Sequence, residues 1–211
     1  HAMKAGFGQT DITPPLGVQP AGSGPYRNPA ATRITASRAA QAMAIACGRR
    51  NDAGQIRSML DVSMPTIDQP LRDWQAVVIG GGIINGISER GVPPAVRVRE
   101  IIRSDATLWK RWERSLDLAS KMADDATVPD GTRYDALRMM GVESWEKRGA
   151  QLGRYLTRVT NAELQMGAVS GLADMYSEAA DRALMEAMPE LTDGNRELAL
   201  NGIVKREGGL E

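Results

Sequence analysis

The side chains that usually carry catalytic chemistry are scarce in this chain of 211 residues, which has one histidine and one cysteine. His1 falls in an opening His1-Ala2-Met3 stretch that reads as a cloning remnant ahead of Lys4. Without it the sequence offers no Ser-His-Asp or Cys-His nucleophile pair and no histidine-ligated zinc site. Cys47 alone excludes an intrachain disulfide and is expected to lie in the core. We therefore predict no catalytic residue, no metal site and no resident cofactor.

A glycine-rich run offers the one alternative with a cofactor. Residues 74–86 read WQAVVIGGGIING, which resembles the strand-turn-helix opening of flavin-dependent oxidoreductases. The dinucleotide fingerprint needs three glycines in the order G-x-G-x-x-G. Gly80 and Gly82 match the first two, but the third position is Asn85, with Gly86 one residue late. The alternatives are a fragment of a flavin or nicotinamide oxidoreductase using Gly80–Gly86, or a buried helix whose glycines allow close approach of a neighbour, with a kink or break at Gly80 to Gly82.

A second resemblance lies near the start of the chain. Residues 4–18 read KAGFGQTDITPPLGV and are similar to the N-terminal opening of neutral ceramidase-type amidases. That family consists of zinc enzymes with histidine and carboxylate ligands, and apart from His1 this chain has no histidine to supply them. The resemblance implies, as an alternative function, an accessory segment of a ceramidase-like hydrolase.

The regular secondary structure of the chain is predicted to be helical. Aromatic residues are 4% of the sequence, whereas Ala, Leu, Met and Arg are plentiful, a composition that favours helices over strands. Residues 1–34 are rich in Pro and Gly and are predicted to form an extended or disordered arm, ahead of one helical domain over 35–211. Helices are predicted at 36–49, 52–61, 68–89, 93–104, 106–125, 130–140, 143–157, 161–173, 176–187 and 193–205.

An internal repeat suggests how these helices pack. Ala136-Leu137 with Met140, Ala168-Val169 with Leu172, and Ala199-Leu200 with Ile203 form one pattern, at intervals of 32 and 31 residues. A unit of two short helices cannot bury its apolar face alone and must stack on its neighbours. The predicted fold is thus an all-α solenoid of short helix pairs. An irregular helical bundle is the alternative.

The sequence from about Thr35 to Glu211 is similar to the HEAT-like helical segment of planctomycete-type multidomain proteins, where it lies between dehydrogenase-like and cytochrome domains. The resemblance is carried by Asp73-Trp74-Gln75, Arg133, Ala136-Leu137, Gly141, the run 164–172 and the run 196–200. It implies a non-catalytic scaffold that organises partner proteins or neighbouring domains, in a bacterial context. No Cys-x-x-Cys-His haem attachment site is present in the sequence, so redox activity is not implied.

Binding residues and partners follow from side-chain type. Twenty-six basic residues balance 26 acidic ones, so no net field favours nucleic acid. No apolar run is long enough to span a membrane. The binding surface is predicted at Trp109, Arg111, Trp112 and Trp145, since tryptophan and arginine are enriched at interfaces. We expect a protein partner or a neighbouring domain, with self-association as a further option, while the sequence specifies no compartment.

Overall fold

The computed structural model describes residues 29–64, 66 and 73–207, and all regular structure in these ranges is helical. The helices are α1 Pro29–Arg50, α2 Ala53–Ser63, α3 Asp73–Glu89, α4 Pro94–Ile102, α5 Ala106–Asp124, α6 Asp130–Met140, α7 Trp145–Gly153, α8 Ala162–Asp174, α9 Glu178–Ala187 and α10 Asp193–Glu207, with a short 3₁₀ helix at Met188–Glu190. The prediction of an all-α protein is confirmed.

Local capping explains why several helices begin where the sequence predicts. The Asp52 carboxylate accepts from the Gln55 amide at the start of α2, and the Asp105 carboxylate accepts from the Leu108 amide at the start of α5. Asn161 caps α8 in the same way. Each side chain satisfies a backbone N–H that has no partner within the helix, so these boundaries are determined by a few adjacent residues.

Helix α7 ends at Gly153 and not at 157 as predicted, and α1 differs from the prediction at both ends. Helix α1 begins at Pro29, so residues 29–34, which were predicted to belong to the arm, are helical. It also continues past Gly48 and ends at Arg50, where Asn51 adopts the left-handed conformation with φ of 55°. Asparagine tolerates this region better than most residues, which accounts for its use as the stop. The rest of the predicted arm, including the ceramidase-like stretch 4–18, lies outside the described residues.

The helices pack in two connected sets. Helices α1, α3, α6, α8 and α10 contact one another in that order, and we call them the first row. Helices α2, α5, α7 and α9 form the second row: ion pairs join α2 to α5 and α5 to α7, and α7 packs against α9. Helix α4 contacts α2, α3 and α5. One continuous apolar core lies between the rows, and it includes Cys47, as predicted, with burial raising the pKa of the thiol.

Helix α3 runs without a break through its three consecutive glycines, so the predicted break at Gly80 to Gly82 is wrong. A Cβ atom on Gly81 would lie 2.7 Å from the Asp135 carbonyl oxygen of α6, and one on Gly82 would lie 2.7 Å from the Ala44 Cβ of α1. Close backbone approach on both sides buries the flanking apolar residues and offsets the roughly 1 kcal/mol that each glycine costs in a helix.

Candidate functional site

Two of the four predicted binding residues are not on the surface. Trp112 is 2% exposed and packs beneath Gly80 of α3. Arg111 is also buried, and its guanidinium donates to the Asp61 carboxylate and to the carbonyl oxygens of Asp61 and Met64. The surface placement predicted for these two side chains is wrong, because Trp112 joins α5 to the core and Arg111 joins α5 to the end of α2.

The other two predicted residues, Trp109 on α5 and Trp145 on α7, are half-buried and pack against the core. The Trp145 ring lies against Gly149, one turn further along its own helix. The structure therefore places three of the four predicted residues on α5 and the fourth on a different helix. Binding by these half-buried tryptophans stays a prediction.

The interpretation of Gly80–Gly86 as a dinucleotide-binding fingerprint is wrong, because the fingerprint requires a local structure that this segment does not form. Residues 73–89 form one α-helix, so the strand and tight turn that the fingerprint needs are absent from this segment. Gly86 also faces α1, against Gly48 and the Ile45 carbonyl. Neighbouring helices occupy the space that a pyrophosphate would need.

A polar cleft of about 420 Å³ opens where the last turns of α3 and α8 meet α6 and α10. We call it the polar cleft, and its lining residues are Ser88, Glu89, Arg90, Gly91, Arg138, Ser170, Ala173, Asp174, Tyr176, Leu198, Asn201, Gly202 and Lys205. Four consecutive first-row helices or their ends supply these residues. The packing of the first-row helices therefore determines the shape of the cleft.

The floor of the polar cleft is a buried ion pair. Nη2 of Arg138 on α6 lies 3.1 Å from Oδ2 of Asp174 on α8, and the two residues are 3% and 7% exposed. The Ser88 hydroxyl at the end of α3 donates to the other Asp174 oxygen at 2.6 Å. Burying two charges costs several kcal/mol per ion before their attraction is counted, so the pair fixes three helices rather than adding much stability.

The Arg138 guanidinium is not fully satisfied. Its Nε atom is buried and has no hydrogen-bond acceptor among the residues that the structure describes. Buried polar atoms in folded proteins nearly always have a partner, in the protein, in ordered water or in a ligand. This donor is therefore an unsatisfied hydrogen-bonding position on a residue of the cleft floor.

The rim of the polar cleft carries Arg90, Tyr176 and Lys205, all of them exposed. Tyr176, in the short connection from α8 to α9, has a φ of 51°. A bulky residue in the left-handed region is strained by about 1 to 3 kcal/mol, and such strain clusters at functional positions. The conformation presents a 47% exposed aromatic side chain at the rim.

Sequence reasoning did not find this site. Every residue from Asp135 to Met140 is buried, so α6 has no polar stripe that would single out Arg138. Asp174 lies 36 residues away, and only the packing of α6 on α8 joins the two. The one sign of this site in the sequence was that the charged residues Arg138 and Asp174 lie close to Leu137 and Leu172, two repeat positions that were predicted to be apolar.

Within 29–64, 66 and 73–207, no three His, Cys, Asp or Glu side chains are grouped so that they could hold a metal ion. None of the helices in the described part of the chain is both long and apolar enough to cross a membrane. Comparison of the sequence with protein-family models gave no match, and comparison with curated proteins and with solved structures gave none either.

Proposed function

We propose that this protein is a non-catalytic interaction domain, an α-solenoid of HEAT-like helix pairs that docks a segment of a partner protein in the polar cleft. The observation that carries the proposal is the polar cleft itself, which four successive first-row helices build around a buried ion pair. Repeat proteins commonly use the surface formed by successive units for binding, because each unit adds side chains to one continuous face.

The spacing of polar contacts supports the solenoid part of the proposal. Gln151 Nε2 donates to the Ser120 carbonyl at 2.8 Å, 31 residues away, and Asn161 Nδ2 donates to Asp130 Oδ2 at 3.1 Å, also 31 residues away. Bonds that span one repeat length, in both rows, are expected when each unit stacks on the preceding one.

The apolar positions follow the same spacing in two units. Leu137 and Val169 are fully buried in the first row, and Leu152 and Leu184 are fully buried in the second. The third unit departs from the pattern, since Leu200 is 48% exposed. A solenoid in which the units are similar but not identical fits these burial values.

Alternative functions gain nothing from the described residues. The oxidoreductase alternative needs a strand and turn that α3 does not form. The ceramidase resemblance falls on residues 4–18, outside the described ranges. Self-association stays a prediction.

Site-directed photo-cross-linking tests the proposal. Benzoylphenylalanine at Tyr176 keeps an aromatic side chain at the cleft rim, and the same label at Val159 is the control, because Val159 is 95% exposed and lies before the opposite end of α8. We expect a saturable adduct with one purified partner, identified first in a lysate of the source cells, from position 176 and not from position 159. Equal adducts from both positions, or none, would contradict the proposal.

A further inference from the structure

The charges around the polar cleft are unequally compensated. Glu89 pairs with Arg49, and Asp174 pairs with Arg138, so both lining carboxylates already have a cation. Among the described residues, neither Arg90 nor Lys205 has a carboxylate within 4.0 Å. The rim therefore carries two positive charges without a counter-ion from the described part of the protein.

A helix macrodipole is the first alternative explanation for those cations. Arg90 directly follows α3, and Lys205 lies near the end of α10, where basic side chains offset the negative end of a helix. Each helix end is equivalent to roughly half a negative charge, and α3, α6, α8 and α10 all have last-turn residues at the cleft. Those partial charges act only within the last turn of each helix, whereas the exposed Arg90 and Lys205 side chains can reach a ligand at the rim.

The buried floor points to the same ligand chemistry. The unaccepted Arg138 Nε needs an oxygen atom, and the guanidinium plane suits the two coplanar oxygens of a carboxylate. Asp174 lies near Nη2, a nitrogen that carries two N–H groups of its own, so an acceptor at Nε need not displace it.

On the basis of the proposed function, we infer that the polar cleft binds a carboxylate on an acidic segment of the partner protein, with Arg138 on the floor and Arg90 and Lys205 at the rim. The rim cations attract the segment from solution. The floor then accepts one carboxylate, and Tyr176 lies beside the path of the segment.

Fluorescence anisotropy with a fluorescein-labelled octaglutamate peptide tests this inference, and a labelled octaglutamine peptide is the matched probe. The protein should bind the first and not the second. The double variant R90E/K205E should weaken binding at least about tenfold. The control R99E/K110E makes the same change in net charge at exposed residues outside the cleft lining and should weaken binding less than about twofold. Equal weakening by both variants would mean general electrostatic attraction and would overturn the site.

Arg138→Lys tests the floor separately. Lysine keeps a positive charge for Asp174 but lacks the Nε donor, and circular dichroism establishes that the variant is folded. We expect several-fold weaker peptide binding, and unchanged affinity would overturn the role of Arg138. Inorganic phosphate at the peptide concentration should not displace the peptide; displacement would assign the site to a free anion instead.

Failure of this inference can be told apart from failure of the proposed function. If position 176 still cross-links to the purified partner in the R90E/K205E variant, and octaglutamate does not bind, the interaction domain stands and the acidic ligand is wrong. If position 176 gives no adduct with any partner, the proposed function fails, and this inference fails as well.

Discussion

Two buried aspartates on adjacent first-row junctions have opposite surroundings. Asp135 lies where α6 meets α1 and α3, is 2% exposed, and accepts from the neutral Gln41 amide through both oxygens at 2.8 Å. Asp174 lies where α8 meets α3 and α6, and its partner is the Arg138 guanidinium. Arg138 is only three residues from Asp135, yet its ion pair is with Asp174. One arginine therefore supplies one aspartate with a cation and leaves the other without one.

The difference appears in the pKa of Asp135. Burial raises this pKa to about 8, and the Gln41 hydrogen bond and the positive field of Arg138 lower it only in part, while Glu163 adds to the rise. Asp135 is thus a carboxyl group that the fold holds in its protonated form near neutral pH. The comparison shows that an amide partner satisfies hydrogen bonds without supplying the charge that ionisation needs.

The largest expected effect is on the pH dependence of stability. Because the folded pKa of Asp135 is above its unfolded value, its stabilising contribution is complete below about pH 4 and is lost as pH rises toward 8. The loss is at most about 1.4 kcal/mol per pH unit. Urea unfolding of wild type and of Asp135→Asn between pH 5 and 9 measures it. Asparagine keeps an acceptor for Gln41 and does not titrate, so the two profiles should diverge; parallel profiles would mean that Asp135 is ionised throughout.

The second prediction concerns the ion pair at the other junction, between α6 and α8. Arg138→Met leaves the Asp174 carboxylate buried without its cation, and we expect a loss of about 3 to 5 kcal/mol in the free energy of unfolding. Arg138→Met/Asp174→Leu removes both charges and should recover much of that loss. Denaturant unfolding at pH 7 measures both. If the double variant is as far below wild type in stability as the single one, the pair contributes net stability and our account of its cost is wrong.

The third prediction concerns the glycines that let α3 and α6 approach. Gly81→Ala places a methyl group 2.7 Å from the Asp135 backbone, and the resulting overpacking should cost about 1 to 3 kcal/mol. Gly153→Ala is the matched control, since no atom lies within 4 Å of its added Cβ at the end of α7. That control should be neutral or stabilising by up to about 1 kcal/mol. Thermal unfolding of the two variants compares them, and a stable Gly81→Ala protein would contradict the close approach.

The smallest effect is expected at one repeat contact. Asn161→Ala removes the cap of α8, at a cost of about 1 kcal/mol, and also the hydrogen bond to Asp130, at a further cost of up to about 1 kcal/mol. Asp52→Ala removes the cap of α2 but no side-chain hydrogen bond between repeat units. The comparison therefore separates the free energy lost with a helix cap from that lost with a contact between units. Thermal midpoints of the two variants should differ by a few degrees, and a larger loss from Asp52→Ala would argue against a contribution from the repeat contact.

The sequence predicted the helices well because their signals are local. Asp105 and Asn161 act on amides two or three residues away, and apolar spacing marks each buried face. It failed at Gly80 to Gly82 because the cost of glycine in a helix is local, whereas its compensation comes from α1 and α6, far away in the chain. The polar cleft was missed for the same reason, since Arg138 and Asp174 become partners only through tertiary packing.

The separation in sequence between hydrogen-bonded partners also bears on the order in which the chain folds. The bond from Asn161 to Asp130 closes 31 residues, whereas the bond from Gln41 to Asp135 closes 94. Closing a loop three times longer costs about 1 kcal/mol more in chain entropy, and contacts distant in sequence slow folding. Helix α1 also packs on α3, at a sequence separation close to the shorter of these two. We therefore expect α1 to pair with α3, and α6 to α10 to assemble, before the two groups dock on each other. Until they dock, the Gly81 side of α3 is open to other chains, which makes this surface the point of greatest risk for misassembly during synthesis.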